Sequence, residues 1–384
     1  MVSQRIVMLL ENYTYPADTR VRNEAESLAA AGHDVTVIAP RGPDQPARER
    51  LQGVAVRRYR TVWASGSPWS YASEYGVAHA QLLARSLAAL IGGARTLHFN
   101  GPPDTLAAAG LLARLTGAKV IYDMHDSGPE LFEAKFGQAG AAAVLRLAQR
   151  AAIRCAHHVI VTNETQRELV IARGPRAPLD VTVVRNGPRL HEFPEPLPAR
   201  GGALSEPRLV YVGTLDVQDG VLDLPELLRA PALGTAQLTV VGDGPARAEL
   251  EARCHAAGVA DRVTFAGHVP HVRVAALIAA ADIGIDPAPG TELNHGSTMI
   301  KVAEYMGSGR PLVAYDLRET RRTAGDTALY APCEDRQAFV ELVSDLARDG
   351  ERRQRLGREA RARALELTWD RSEEALRAAY DRLV

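Results

Sequence analysis

Apolar and polar positions along the chain form one repeated pattern. A short run of branched apolar residues is followed by a polar loop, then by a segment whose apolar residues recur every three or four positions. "RIVMLL" is continuous and apolar, as a strand covered on both faces must be. "TRVRNEAESLAAAG" after it has helical spacing, with Asp18 at the N-cap and Gly32 at the stop. "DVTVIAP", "VAVRRYRT", "RTLHFNG", "AKVIYDMHD", "HHVIVTN" and "LDVTVVRNGP" repeat the strand signal, and "VAHAQLLARSLAALIGG" repeats the helical one. "WASGSPWSYASEYG" reads as a loop dense in aromatics. Strands alternating with helices predict a parallel sheet with both faces covered.

The period is lost in "NGPRLHEFPEPLPARGGALSEP", which holds five prolines and three glycines and reads as a linker. It then restarts. "PRLVYVG", "AQLTVVGDGP", "RVTFAG", "IGIDP", "RPLVAYD" and "ALYAP" read as strands, with helices at "LDLPELLRA", "ARAELEARCHAAG" and "VRVAALIAAAD". "TWDRSEEALRAAYDRLV" closes the chain as one amphipathic helix. The expected organisation is α/β: two Rossmann-like, doubly wound parallel-sheet domains facing a central cleft. Residues 1–188 form the first, 189–206 the linker and 207–366 the second, while 367–384 form a terminal helix crossing back to the first.

Composition narrows the class. Apolar residues make up 46% of the 384 and charged residues 24%, the profile of a soluble globular chain. The net charge of −1 speaks for no nucleic acid. "ERRQRLGREARARALE" reads as a solvated amphipathic helix, with peripheral membrane contact as the other reading. Cys155, Cys254 and Cys333 have no metal-ligand or Cys-x-x-Cys spacing and suit buried thiols in a reducing compartment. The first apolar run is too short for a signal sequence or a span, so a cytoplasmic location is expected. The oligomeric state stays open.

Ligands of open α/β sheets bind beyond the carboxyl ends of strands. The first such loop, "LLENYTYPADTR", has no glycine, which argues against a dinucleotide fingerprint; no P-loop and no Gly-x-Ser-x-Gly elbow occur either. "YDMHDSGPELF" places His125 just beyond a strand, with Asp123, Asp126 and Glu130 nearby. "GDGP" is a tight strand-to-helix turn with Gly242 and Gly244 at its bends. The strongest signal is "NHGSTMIKVAEYMGSGRPLVAYD". On a wheel with Ser297 at zero, Lys301 falls near about +40° and Glu304 near about −20°, while Met299, Val302, Ala303 and Met306 gather opposite. One reading is an i,i+3 ion pair on a solvated face. The other is a ligand site: free N–H groups and the dipole at the helix start favour a phosphate, Lys301 adds a full charge, and Glu304 suits paired ribose hydroxyls.

With these segments in order, the chain resembles the retaining glycosyltransferases of family 4, whose two-domain fold is called GT-B. "PADTRVRNEAESLAAAGHDVTVIAPRG", "IYDMHDSGPE", "VVRNGP", "LVYVGTLDVQDGV", "LTVVGDGP", "VTFAGHVP" and "STMIKVAEYMGSGRPLVAYD" stand in the family's order and spacing over nearly the whole chain. The resemblance implies transfer of a hexosyl or N-acetylhexosaminyl group, with retention, from a nucleotide diphosphate sugar to a small-molecule, lipid or saccharide acceptor. Uridine is the family's commoner base. No Asp-x-Asp occurs, so a metal-independent reaction without a cofactor is expected. The resemblance makes His125, Lys301 and Glu304 catalytic. It assigns the donor to Thr214, Gly242, Gly244, His268, Val269, Asn294, His295, Gly296, Ser297 and Thr298 as well. Asp18, Arg20, Trp69, Tyr71, Tyr75 and Asp126 would face the acceptor, with Trp63 in the same aromatic loop. Bacterial natural-product or polysaccharide biosynthesis is the expected setting.

The chain departs from the family at three positions. Thr214 and Asp219 stand where Arg and Lys usually meet the donor's phosphates, and Gly296 stands where the first Glu of a Glu-x7-Glu pair holds the donor sugar. Glu292, Asn294 and His295 lie just upstream as substitutes. A nucleotide-sugar 2-epimerase of the same fold and a non-catalytic sugar-nucleotide binding protein are the alternatives.

Overall fold

The structure is a computed structural model and describes residues 3–61, 68–136, 139–174, 177, 180–189 and 200–383. Trp63 and most of the expected linker lie outside the described residues, as do the side chains of Trp69 and Tyr71. Contacts divide the chain into one unit of Met1–Arg185 with Ser372–Val384 and another of Asn186–Arg371.

In the first unit the apolar runs form β1 (Arg5–Leu9), β2 (Asp34–Pro40), β3 (Arg48–Leu51), β4 (Val54–Tyr59), β5 (Thr96–Gly101), β6 (Lys119–Met124), β7 (His158–Val161) and β8 (Val181–Val183). They build one sheet in the order β3-β4-β2-β1-β5-β6-β7-β8. All neighbours are parallel except β3 and β4. β3 has no apolar run to announce it. It exists because Gln52 and Gly53 both take positive φ, +45° and +85°, the turn that twists a tight hairpin correctly. Continuous burial of β5 and β6 matches strands covered on both faces; Phe99 and Tyr122 stack between them with ring centroids 5.0 Å apart.

The expected aromatic loop is corrected in part. A helix runs from Pro68 to Ile91, so only the residues before Pro68 can be loop. Proline suits the first helical turn, where its missing N–H is not needed. The helices Ala107–Leu115 and Ala139–Cys155 follow β5 and β6. The closing helix, Trp369–Asp381, buries Leu376, Ala379 and Tyr380; its Tyr380 hydroxyl lies 2.7 Å from His98 Nδ1 on β5.

The second unit's sheet is parallel throughout. Its strands are β9 (Arg208–Val212), β10 (Gln237–Val241), β11 (Val263–Gly267), β12 (Ile283–Asp286), β13 (Leu312–Tyr315) and β14 (Ala328–Ala331), in the order β11-β10-β9-β12-β13-β14. The basic stretch forms the helix Gly350–Leu365. It packs Leu356, Ala360 and Ala364 inward, against the helix Ile300–Gly307 among others. Arg353 is fully buried and donates to four backbone carbonyls, at 2.7 Å to Leu346 and 2.7 Å to Ala347, 2.8 Å to Arg200 and 2.6 Å to Gly202. No helix among the described residues is long and apolar enough to cross a membrane.

Candidate functional site

Three strand ends meet in the second unit. Beyond β9, the loop from Gly213 runs alongside the turn after β10: Gly213 N donates to Val241 O at 3.0 Å and Leu215 N to Asp243 O at 3.0 Å. Gly242 has φ +128°, and a Cβ there would lie 1.9 Å from Gly213 O; a Cβ at Gly244 would lie 2.4 Å from Leu215 O. These two glycines let backbone touch backbone, so their observed role is to join two loops. Thr214 is exposed, and its carbonyl accepts from the Tyr211 hydroxyl at 3.0 Å.

The helix carrying Lys301 and Glu304 spans Ile300–Gly307, two residues later than a cap at Ser297 would start it. Ser297 explains the shift: its hydroxyl turns back to Leu293 O at 2.8 Å and ends the preceding short helix, Glu292–Gly296. Met299 is the N-cap of the second helix, with no side-chain hydrogen bond. Ser297, Thr298 and Gly296 lie half-buried in the passage between the two helices.

Of the two readings of this face, the ion pair on a solvated surface does not hold. Every residue from Lys301 to Gly307 is buried, with Lys301 at 6% and Glu304 at 8% exposure. The two do not pair with each other. Lys301 Nζ lies 3.2 Å from Asp219 Oδ1, 3.3 Å from Asp286 Oδ1 and 3.4 Å from the Tyr211 hydroxyl, and 4.7 Å from the centre of the Tyr211 ring. Burial works against its charge, but Asp286, Tyr211 and Asp219 outweigh it and hold the ammonium well above the ordinary lysine range. Burial pushes Asp219 up, against the pull of Lys301. Glu304 Oε1 instead meets His271 Nε2 at 3.1 Å, at the start of the helix His271–Ala280.

Of the proposed substitutes for the missing glutamate, Asn294 is engaged elsewhere. It is buried, and its amide donates to Gln218 O at 2.8 Å and Pro289 O at 2.9 Å, tying two loops together. Both hydrogens of its amide nitrogen are thereby committed within the protein. His295 Nδ1 accepts from Arg318 N at 3.2 Å, and Glu292 is exposed. His268 is exposed and Val269 half-buried beyond β11.

In the first unit, β5 and β6 put Asn100 opposite Asp123, and His125 follows two residues later. His125 Nε2 lies 2.9 Å from Asp123 Oδ2 and 3.2 Å from Asn100 Oδ1. Asn100 donates its amide to Leu9 O at 2.8 Å, so its oxygen is the atom facing the ring. Both partners are acceptors, so Nε2 carries the proton and, in the neutral ring, Nδ1 is left to accept one. The backbone is fixed on both sides: His125 N donates to Gly101 O at 2.9 Å, and Gln166 Nε2 donates to His125 O at 2.9 Å.

Arg20 lies beneath, buried. Its Nε and Nη2 grip both oxygens of Asp123 at 2.8 and 2.7 Å, Nη1 donates to Val184 O at 2.7 Å, and Nη2 lies 3.2 Å from Glu24 Oε1. Arg20 is thus an internal brace, which corrects its assignment to an acceptor. Asp18 accepts from Val21 N at 2.9 Å as the helix cap. Asp126 is half-buried, and Tyr75 is 42% exposed on the helix Pro68–Ile91. Burial works to raise Asp123, yet Arg20 and His125 hold it well below the ordinary carboxylate range. Burial, then the charge of Asp123, pushes Glu24 well above its own. Glu24, His98 and Asp123 have ligand atoms within 4.8 Å of one another. The Arg20 guanidinium already holds both oxygens of that aspartate, so a metal cation there would face a fixed positive charge.

Sequence reasoning missed Tyr211, Asp286, His271 and Asn100. Asp286 carried a signal: a carboxylate as the last residue of an apolar strand points into the loop layer. Asn100 carried the same one in weaker form. Tyr211, inside a strand, carried none.

Residues 17–187 match a family model described as a glycosyl transferase 4-like domain, and residues 206–349 match one described as glycosyl transferases group 1. Among curated proteins, a 2-deoxystreptamine N-acetyl-D-glucosaminyltransferase of Streptomyces fradiae is 29% identical over 273 residues, which are 67% of this chain and 63% of that protein. The chain spans less than two thirds of the length of the curated relatives it matches first. Among solved structures, sucrose-phosphate synthase from Thermosynechococcus elongatus superposes with a TM-score of 0.80 at 20% identity, over 99% of both chains. Anabaena HepE, in complex with UDP and glucose, gives 0.73 at 15% identity over 98% of this chain and 99% of that one. The fold is therefore GT-B, with two parallel-sheet α/β domains.

Proposed function

We propose, from the successive matches to a glycosyl transferase 4-like domain and to glycosyl transferases group 1, that the chain moves a sugar from a nucleotide diphosphate sugar to a small hydroxylated acceptor. The observation that carries this reading is Lys301. A buried ammonium at the carboxyl ends of β9 and β12, on the first turn of a helix, suits a pyrophosphate. The pyrophosphate meets Lys301 by taking the place of Asp219, whose contact is 3.2 Å long and whose turn lies at the loop surface. Glu304, held by His271 at 3.1 Å, accepts from the ribose hydroxyls.

The reaction we assign is same-face transfer with retention. The bond from the anomeric carbon to the leaving phosphate oxygen breaks as the bond to the acceptor oxygen forms. The acceptor's proton passes to the departing phosphate. Charge grows on that phosphate, so Lys301 and the helix start stabilise the transition state more than the ground state. His125, ordered by Asp123 and Asn100, is assigned to the transfer step rather than to donor affinity. An aminocyclitol acceptor and a uridine diphosphate N-acetylhexosamine donor are the first pair to try; the name of the Streptomyces fradiae relative and the commonest base of the family support them.

The test is calorimetric titration with UDP, GDP, TDP and ADP, then product analysis with the matching sugar donors. The reading expects one base to bind, a glycosylated product, and the anomeric configuration of the donor kept. A product with an altered sugar and no acceptor attached would overturn it, as would binding without turnover on every acceptor offered. His125→Ala is expected to keep nucleotide affinity within a few fold and lose most of kcat.

A further inference from the structure

The helices Pro68–Ile91, Ala107–Leu115 and Ala139–Cys155 lie side by side on the first unit's sheet. Their inner positions, such as Leu82, Ala113 and Ile153, are fully buried. Their outer positions are not polar, as a solvated face requires. Ile91 is 78% exposed, Leu115 86%, Val144 65% and Leu147 62%, with Leu87 and Leu111 between them at 40% and 52%. Among the described residues, the charged side chains that these helices carry outward are arginines; Arg146 is answered at 2.7 Å by Glu133, just before the third helix. Residues 75–103, 105–122 and 134–163 contain no Asp or Glu, while Arg114, Arg150 and Arg154 lie exposed among the leucines. Leu111, Arg114, Leu147, Arg150 and Arg154 line one groove between the second and third helices.

We propose that this face docks the protein on an anionic lipid surface. Contiguous apolar exposure marks a contact surface. The charge pattern selects the partner. A second copy of the chain meeting this face about a two-fold axis would bring Arg114, Arg150 and Arg154 together, while the neighbouring Glu130 and Glu133 are already engaged by Arg173 and Arg146. A soluble polyanion would leave the leucines in water. A membrane surface satisfies both groups at once: phosphates of the headgroups accept from the arginines, and the apolar side chains enter the acyl boundary. The basic stretch "ERRQRLGREARARALE", the sequence's own candidate for membrane contact, is less suited. Arg353 there is sealed inside, and Arg355 pairs with Glu359 at 3.1 Å. The inference does not depend on the proposed reaction.

The experiment is vesicle flotation of the full chain with phosphatidylcholine alone and with added phosphatidylglycerol. Binding only to the anionic vesicles is expected, weakening as salt rises. Arg150→Ala should bind about fivefold more weakly, the size of effect for one cation at such a surface. Leu111→Ser combined with Leu147→Ser should cut binding even at low salt, whereas Arg358→Ala on the helix Gly350–Leu365 should not. Circular dichroism and the melting temperature, unchanged in each variant, show that the fold persists. No flotation of the wild-type chain with anionic vesicles at low salt overturns the proposal. So does equal loss in Arg358→Ala, a concentration-dependent dimer that Leu111→Ser and Leu147→Ser dissolve, or binding to a soluble polyanion in place of vesicles.

Discussion

Arg20 in the first unit and Lys301 in the second are both nearly sealed from water, at 6% exposure each, and each lies against two carboxyl groups. Their grips differ. The planar fork of Arg20 matches Asp123 oxygen for oxygen, at 2.8 and 2.7 Å, and its remaining nitrogen serves a backbone carbonyl. Lys301 is a point charge with three longer contacts, 3.2 to 3.4 Å, none of them bidentate. The geometry of a guanidinium commits it to one partner, whereas an ammonium held by long contacts can exchange one anion for another. The first arrangement holds His125 in place through Asp123. The second can receive a phosphate.

Arg20→Ala is the largest test of that contrast. It strands Asp123 as a buried, uncompensated charge, which costs roughly 3–5 kcal/mol. Denaturant unfolding of the variant measures it, and a loss below about 1 kcal/mol, the value of an exposed pair, would break the comparison. Lys301→Ala comes next. It strands Asp286, which is itself fully buried, so stability falls as well, and in the folded variant the rate should drop by roughly 10²–10³-fold, the effect of removing one preorganised group facing a developing anion. Near-wild-type turnover would remove the phosphate assignment.

Glu304→Ala should weaken donor binding on the order of 1.5–3 kcal/mol with kcat largely kept, as expected of a charged hydrogen bond to the ribose. Titration with the nucleoside diphosphate and with its free phosphates separates the two halves of the ligand. Asp219→Asn should act in the opposite direction and more weakly. It removes the anion competing at Lys301, so nucleoside diphosphate affinity should rise by about 1 kcal/mol. A fall in affinity would show that Asp219 orders Lys301 rather than competing for it.

The smallest effect is a slope with pH. Burial and Asp123 raise the Glu24 carboxyl above its unfolded value, so its contribution to stability is complete below the ordinary glutamate range and is lost as pH rises toward the folded value. Glu24→Gln stays neutral throughout. Its melting temperature relative to wild type should climb from mildly acidic to mildly alkaline buffer; a flat difference would place Glu24 among ordinary ionised glutamates.

By itself the sequence determined the order of elements. Apolar runs, helical periods and their breaks are local, and each run from "RIVMLL" to "ALYAP" contains a strand. It also located His125, Lys301 and Glu304 beyond strands, because that position depends only on where a run ends. It did not determine the partners. Lys301 meets Asp219 from 82 residues away and Asp286 from 15, and Arg20 meets Asp123 across 103. Such pairs depend on which strand ends lie side by side, and strand order follows from crossovers that no single segment encodes. The tertiary structure also decided that the Lys301 face is buried. Periodicity separates a helix's polar side from its apolar side, but only the elements packed around the helix determine whether the polar side meets water. Here His271 and the carboxylates at the ends of the β9 loop and β12 are what it meets.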